Sequence, residues 1–165
     1  MDKRADILRF GVDGWHARFN EAFTEENVAR LADALALVWS DGRPGATVYV
    51  GYDSRHASRD LALMVAGIAA SYGLAPVVSE AACPTPAAAW ACSRDEAAVG
   101  AVVLTASERS CEYGGLLVRG SDGGPAPRDF LDEVEQAVSL APTEGRGAFE
   151  ERDLVGPYLA DLVGR

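Results

Sequence analysis

The sequence predicts a three-layer α/β/α domain on a mostly parallel, mixed sheet flanked by helices. Three observations carry that expectation. Short apolar, β-rich runs (residues 47–50, 75–79 and 101–104) alternate with stretches of helical periodicity. The intervening segments have the length of right-handed crossovers, which join parallel neighbours. Small and polar residues gather just after two of the strand runs, where open α/β sheets place their ligands. The chain has 165 residues, 48% hydrophobic and 24% charged, enough for one cored domain or one domain with a tail.

The chain opens with an expected extended segment at residues 7–10 that runs into Gly11-Val12-Asp13-Gly14-Trp15. Two glycines flanking an aspartate make a tight turn, which either opens its backbone to an anion or simply packs Trp15. Thr24 is placed to cap a helix, with Glu25 and Glu26 at the positive end of its dipole. Val28, Leu31, Leu35, Val38 and Trp39 share one face of that helix, and Glu26, Arg30 and Asp33 are expected mainly off it. The 42–45 sequence Gly-Arg-Pro-Gly ends it.

After the strand at residues 47–50 come Gly51-Tyr52-Asp53-Ser54-Arg55-His56. Here Asp53 and Arg55 either pair to hold the loop, or Arg55 faces a phosphate. Ser58 is expected to cap the next helix, with Leu61, Val65, Ile68 and Tyr72 buried and Gly73 just past its end. Residues 75–79 form a strand with Pro76 near its start. Thr85 and Pro86 then open a helix, as N-cap and first helical residue. A last clear helix begins near Pro127, with Phe130, Val134 and Val138 stacked and Leu131 beside them.

Between these two helices lies the stretch with the most chemistry. The strand at residues 101–104 runs into Thr105-Ala106-Ser107 and then Glu108-Arg109, and Gly114-Gly115 is expected to turn the chain back into an antiparallel run, Leu116-Leu117-Val118. A serine hydroxyl at such a strand end either carries a phosphoryl group or bonds its own backbone as a turn residue. From Ala141 the periodicity lapses into a linker, after which a short amphipathic piece carries Leu154, Tyr158, Leu159 and Leu162.

The formal charge of −10, from 25 acidic and 15 basic side chains, disfavours nucleic acid or an anionic membrane as partner. A small phosphorylated ligand, needing only a local cluster of donors, remains compatible. Cys83, Cys92 and Cys111 stand at no metal spacing, and His16 and His56 are far apart, which argues against a disulfide scaffold or a zinc site. Neither a spanning apolar stretch nor a signal peptide is evident, so a soluble, reduced, cytoplasmic protein is expected.

Taken together, the loops resemble the first domain of the α-D-phosphohexomutases, the phosphoglucomutase/phosphomannomutase family. Phe10-Gly11-Val12-Asp13-Gly14-Trp15-His16-Ala17 is similar to that family's FGTDGWRA, and Phe23-Thr24-Glu25-Glu26-Asn27-Val28 to the start of its first helix. Val50-Gly51-Tyr52-Asp53-Ser54-Arg55 with Ser58-Arg59 resembles VGYDTR followed by SR. Pro84-Thr85-Pro86 matches PTP, Thr105-Ala106-Ser107 the start of TASHNP, and Glu112-Tyr113-Gly114-Gly115 the EYNG that follows.

The resemblance, which runs from about residue 8 to 138, implies that residues 1–140 are a phosphoserine domain and that 141–165 lead into a second domain absent from this sequence. It implies Ser107 as phosphoryl carrier between the 1- and 6-positions of a hexose phosphate, with His16, Arg55, Thr105 and Arg109 binding phosphate or substrate. A Mg²⁺ ion would touch the phosphate on Ser107 while its carboxylates come mainly from the absent domain. The chain alone is then expected to lack mutase activity and to expose a face prone to self-association.

The departures point the other way. Glu108, Arg109 and Ser110 replace the histidine, asparagine and proline of TASHNP, and His16 replaces an arginine. Leu117 stands where relatives carry a lysine assigned to acid–base work, and a leucine moves no proton. The alternative is a diverged, non-catalytic relative that binds a sugar phosphate or a protein.

Overall fold

The computed structural model describes residues 8–12 and 14–164. Six strands form a single sheet among the described residues: β1 (Trp15–Arg18), β2 (Thr47–Tyr52), β3 (Ala75–Ser79), β4 (Ala98–Leu104), β5 (Tyr113–Gly120) and β6 (Glu150–Arg152). Five helices accompany them: α1 (Glu25–Ser40), α2 (Ser58–Ser71), α3 (Thr85–Ser93), α4 (Arg128–Ala137) and α5 (Val155–Val163). The sheet order is β1-β5-β4-β2-β3-β6, and β5 alone runs against its neighbours. This is the three-layer, mostly parallel architecture that the alternation of runs predicts, including the one antiparallel strand.

The two-residue period of the strands sorts the core into two layers. Val48 and Val50, Val102 and Leu104, and Leu116 and Val118 pack with Leu31, Leu35, Ile68 and Val134 of α1, α2 and α4. The intervening Tyr49, Val77, Ala101, Val103 and Leu117 pack with Ala87, Ala88 and Ala91 of α3 and with Leu154 beside α5. Each fully buried Val or Leu contributes roughly 1.5–3 kcal/mol. The alanine face of α3 lets it lie close to the sheet, where a Cβ on Gly51 would come within 2.9 Å of Cys83 Sγ and 3.2 Å of Ala88 Cβ.

Several local features follow the sequence. Thr24 Oγ1 accepts from the Asn27 amide at 3.2 Å, capping α1. Gly73, at φ +79°, closes α2 in the left-handed conformation that favours glycine. Other features depart from it. Leu8 and Phe10 are buried but form no strand; the Phe10 amide donates to Glu135 Oε1 and its carbonyl accepts from Arg128, so this segment is tied to α4 instead. Ile7 and Asp13 lie outside the described residues.

The N-cap of α2 is Ala57, at φ +60°, and Ser58 instead donates its hydroxyl to Asp53 Oδ1 at 2.8 Å. Helix α3 begins at Thr85 with Pro84 as its N-cap, one residue earlier than expected. Arg30 is only 3% exposed: α1 is covered on this side too, and Arg30 donates to the Ser139 carbonyl and to Asn27 Oδ1. Asp33 likewise meets the Tyr72 hydroxyl at 2.7 Å.

Gly114 and Gly115 are strand residues and not the turn, which is made by the residues between Thr105 and Tyr113. Their missing side chains admit other groups. A Cβ on Gly114 would lie 2.2 Å from the Phe23 ring, and one on Gly115 would lie 2.4 Å from both His16 Cδ2 and the Thr105 carbonyl oxygen.

The segment read as a linker runs along α2, where the Gly147 amide donates to the Gly67 carbonyl at 2.8 Å. It then supplies β6, which extends the sheet beside β3, and α5, whose Tyr158 packs edge-on against Trp90 of α3. Among the described residues, no helix is long and apolar enough to cross a membrane.

Candidate functional site

The parallel strands β2 and β4 end side by side, and the Asp53 amide donates to the Leu104 carbonyl at 3.0 Å across that end. Chain leaving β4 passes through buried Thr105 and Ala106 before it surfaces at Ser107. Two bonds fix the exit. The Thr105 amide donates to the Gly115 carbonyl at 3.0 Å, and Thr105 Oγ1 accepts from the Ser107 amide at 3.1 Å. Ser107 is exposed, and its φ of +52° lies in the left-handed region that an L-residue enters only at some cost. A hydroxyl presented this way stands clear of its strand.

Beyond Ser107 the chain closes a compact loop, in which the Arg109 amide donates to the Ala106 carbonyl and the Tyr113 amide to the Ser110 carbonyl, each at 3.1 Å. The Arg109 guanidinium is exposed and lies over the Tyr113 ring at 5.7 Å from its centre. Arg18, from the end of β1, lies over the same ring at 5.6 Å and pairs with Glu112 at 2.6 Å. Arg109 and Arg18 thus both lie over the Tyr113 ring, and Arg18 is paired in addition with Glu21 at 3.7 Å.

Arg55 reaches the same loop from the β2–α2 connection. Its Nε donates to Asp53 Oδ2, and its two terminal nitrogens donate to the carbonyls of Ser107, Arg109, Ser110 and Tyr113. Of the two sequence readings, the loop-holding one describes these contacts. A guanidinium has five N–H donors, so a phosphate would have to displace a protein acceptor to meet it. His16, opposite Gly115 on β1, is half-buried, with its ring and the Thr105 carbonyl both crowding the space Gly115 leaves open. The site residues named from the sequence therefore share one end of the sheet. Hydrogen bonds join Thr105, Ser107, Arg55 and the Arg109 backbone, while His16 lies alongside.

The lysine position is different in kind. Leu117 is 4% exposed and packs in the α3 layer, so no titratable group stands there. Among the described residues, no three His, Cys, Asp or Glu side chains gather as a cation site. Asp53, the carboxylate nearest in the network, is already held by Arg55 and Ser58. A cavity of about 550 Å³ lies at the opposite end of the sheet, bounded by Trp39, Val99, Arg119 and Phe130, away from Ser107. Sequence reasoning did not foresee the part played by Ser58 or the Thr105 side chain. An aspartate two residues before an arginine was the available signal for the first, and the Thr-x-Ser spacing for the second.

Comparison with known proteins agrees with this geometry. Residues 8–143 match the family described as phosphoglucomutase/phosphomannomutase, alpha/beta/alpha domain I. A phosphoglucosamine mutase of Synechococcus elongatus is 30% identical over 93% of this chain and 34% of its own length. One from Desulforudis audaxviator is 34% identical over 80% of this chain and 29% of its own length. The crystal structure of a putative phosphomannomutase from Thermus thermophilus superposes with a TM-score of 0.89 at 30% identity, over 96% of this chain and 36% of that one. The chain spans about a third of the length of these relatives. By its matched segment and its fold, the chain belongs to the phosphoglucomutase/phosphomannomutase family, as an α/β/α domain I.

Proposed function

We propose that this chain is the serine-bearing domain of a phosphohexomutase-like protein, with Ser107 as the phosphoryl carrier. The observation that carries this reading is Ser107 itself, exposed beyond the end of β4 in a left-handed conformation and tethered through its amide and carbonyl, with no bond to its hydroxyl among the described residues. A phosphoserine here gives its phosphoryl group to a hydroxyl of a hexose monophosphate: the Oγ–P bond breaks, a sugar O–P bond forms, and a bisphosphate results. The bisphosphate then returns its other phosphoryl group to Ser107 and leaves as the isomeric monophosphate. In the first transfer the attacking sugar hydroxyl gives up its proton and Ser107 Oγ, freed from phosphorus, takes one up. In the second, Ser107 Oγ gives up its proton and the other sugar oxygen, freed in turn, takes one up, and the buried Leu117 serves neither exchange.

Phosphoryl transfer depends chiefly on positioning and charge neutralisation. Thr105 holds the Ser107 backbone, Arg109 offers charge beside it, and His16 flanks the exit from β4. The magnesium ion that the resemblance implies finds no cage among the described residues; on this reading its carboxylates would come mainly from a further domain, and no step here runs through it. On this reading the remaining sugar contacts belong to further domains. Three free cysteines, two of them buried, suit a reducing compartment such as the cytoplasm.

The test is the intact mass of the protein from its native host. One phosphoryl group on Ser107, lost in Ser107→Ala, is the expected result; an unmodified serine overturns the carrier role. The chain alone is expected not to interconvert glucose 1-phosphate and glucose 6-phosphate. The burial of Leu117 supports a second reading, a non-catalytic domain that keeps the fold to bind a sugar phosphate or a protein. An Asp-Gly-Asp-Gly-Asp segment further along the reading frame favours catalysis over that reading.

A further inference from the structure

We infer that Arg55 is a positioning residue for Ser107: it sets the backbone of residues 107–113 and does not itself hold a phosphate. This rests on the reading of Ser107 as carrier. The bonds fall around one guanidinium. Nη2 donates to the carbonyls of Ser107 at 2.9 Å and Arg109 at 2.6 Å, and Nη1 to those of Ser110 at 2.7 Å and Tyr113 at 3.3 Å. Nε donates to Asp53 Oδ2 at 3.0 Å. Four carbonyls of one loop thus converge on a side chain more than fifty residues away in sequence.

The clamp is anchored at its other end. Asp53 Oδ1 accepts from the Arg55 amide at 3.0 Å and from Ser58 Oγ at 2.8 Å, and the Asp53 amide is bonded to the end of β4. The loop is therefore referenced to β2, β4 and the first turn of α2 together. The Arg55 side chain is only 18% exposed, and its bonds to Asp53 and to the Tyr113 carbonyl are partly buried, while those to Ser107, Arg109 and Ser110 lie at the surface. Ser107 needs such help, because its left-handed backbone is disfavoured and, among the described residues, its carbonyl bond to Arg55 and its amide bond to Thr105 hold it there. Lysine would keep the charge but lacks the planar fork that reaches several acceptors at once.

The test compares the 165-residue chain with Arg55→Lys and Asp53→Asn, after thermal unfolding confirms that each folds. Amide hydrogen exchange is read at Ser107, Arg109 and Tyr113, with Val102 in β4 as internal reference. A second sample, phosphorylated at Ser107 in the native host, is read by ³¹P NMR. Arg55→Lys is expected to lower protection in the loop about tenfold to a hundredfold, with Val102 unchanged. Its phosphoserine line is expected to move to the position of a mobile phosphoserine. Asp53→Asn is expected to act in the same direction more weakly, and it decides the matter if the lysine variant does not fold. Unchanged loop protection and an unchanged ³¹P line in a folded variant overturn the inference. A wild-type protein with no phosphate on Ser107 overturns the carrier reading instead, and with it the purpose of the clamp.

Discussion

Replacing Gly115 with alanine tests whether the exit from β4 is as tightly built as the distances say. The new Cβ would lie 2.4 Å from the Thr105 carbonyl oxygen and 2.4 Å from His16 Cδ2. Ordinary contact begins near 3.4 Å, so about 1 Å of movement is needed on both sides. The imidazole can rotate, but the carbonyl belongs to a residue fixed by its own amide bond to Gly115. Overpacking of this kind costs about 1–3 kcal/mol, and weakening that bond adds about 1 kcal/mol. For a domain of this size each kcal/mol moves Tm by about 2–4 °C, so a fall of roughly 4–16 °C is expected.

The assay is thermal unfolding followed by circular dichroism, with Gly45→Ala as control. Gly45 has φ +77° and open space around its missing Cβ, so only backbone strain of about 1–2 kcal/mol applies there. Adding His16→Ala to Gly115→Ala should recover less than half of the loss, because the carbonyl contact remains. A Tm for Gly115→Ala within about 1 °C of wild type would refute the account of why a glycine stands at this position.

Other consequences are as direct. Burial pushes the Cys92 thiol up to about 12 and raises Cys83 as well, whereas Cys111 is exposed, so iodoacetamide at mildly alkaline pH should modify Cys111 alone in the folded chain. The same burial makes stability fall at high pH. An unfolded Cys92 thiol loses its proton near its usual 9.0 and the folded one holds it to about 12, so the unfolded state binds fewer protons over that window and denaturant midpoints should drop as pH rises through it. Tyr72, pushed up to about 12 by burial and then by its bond to Asp33, acts in the same sense. On α5, Leu159, Leu162 and Val163 are exposed, and sedimentation at high concentration should show self-association that Leu162→Lys reduces; a monomer throughout would refute a sticky face there.

Much of the fold was legible because it is written in short-range patterns. The alternation of short apolar, β-rich runs with stretches of helical periodicity identified β2, β3 and β4 with their helices, and the side chain of Thr24 announced the start of α1 three residues ahead of the amide it receives. The reversal into β5 was legible too, and so was the placing of Ser107 just past a strand end, because small residues followed by charges mark where a buried run meets water.

What the chain's linear order left undecided is set by contacts between distant segments. β1 and β6 are four and three residues long, too short to declare themselves, and exist as strands because β5 and β3 offer them an open edge. Arg30 looked like surface until the Ser139 carbonyl came down on it. Gly114 and Gly115 looked like a turn, when they are the gaps in a strand that Phe23 and His16 fill. Arg55 offered two roles to the reader of its neighbours, and the contacts of the loop-holding one come only with the folding of a loop some fifty residues later onto its donors. Periodicity and capping are properties of adjacent residues; the filling of a gap or of a guanidinium's hydrogen-bonding capacity depends on which remote atoms arrive, and that is known only once the chain has packed.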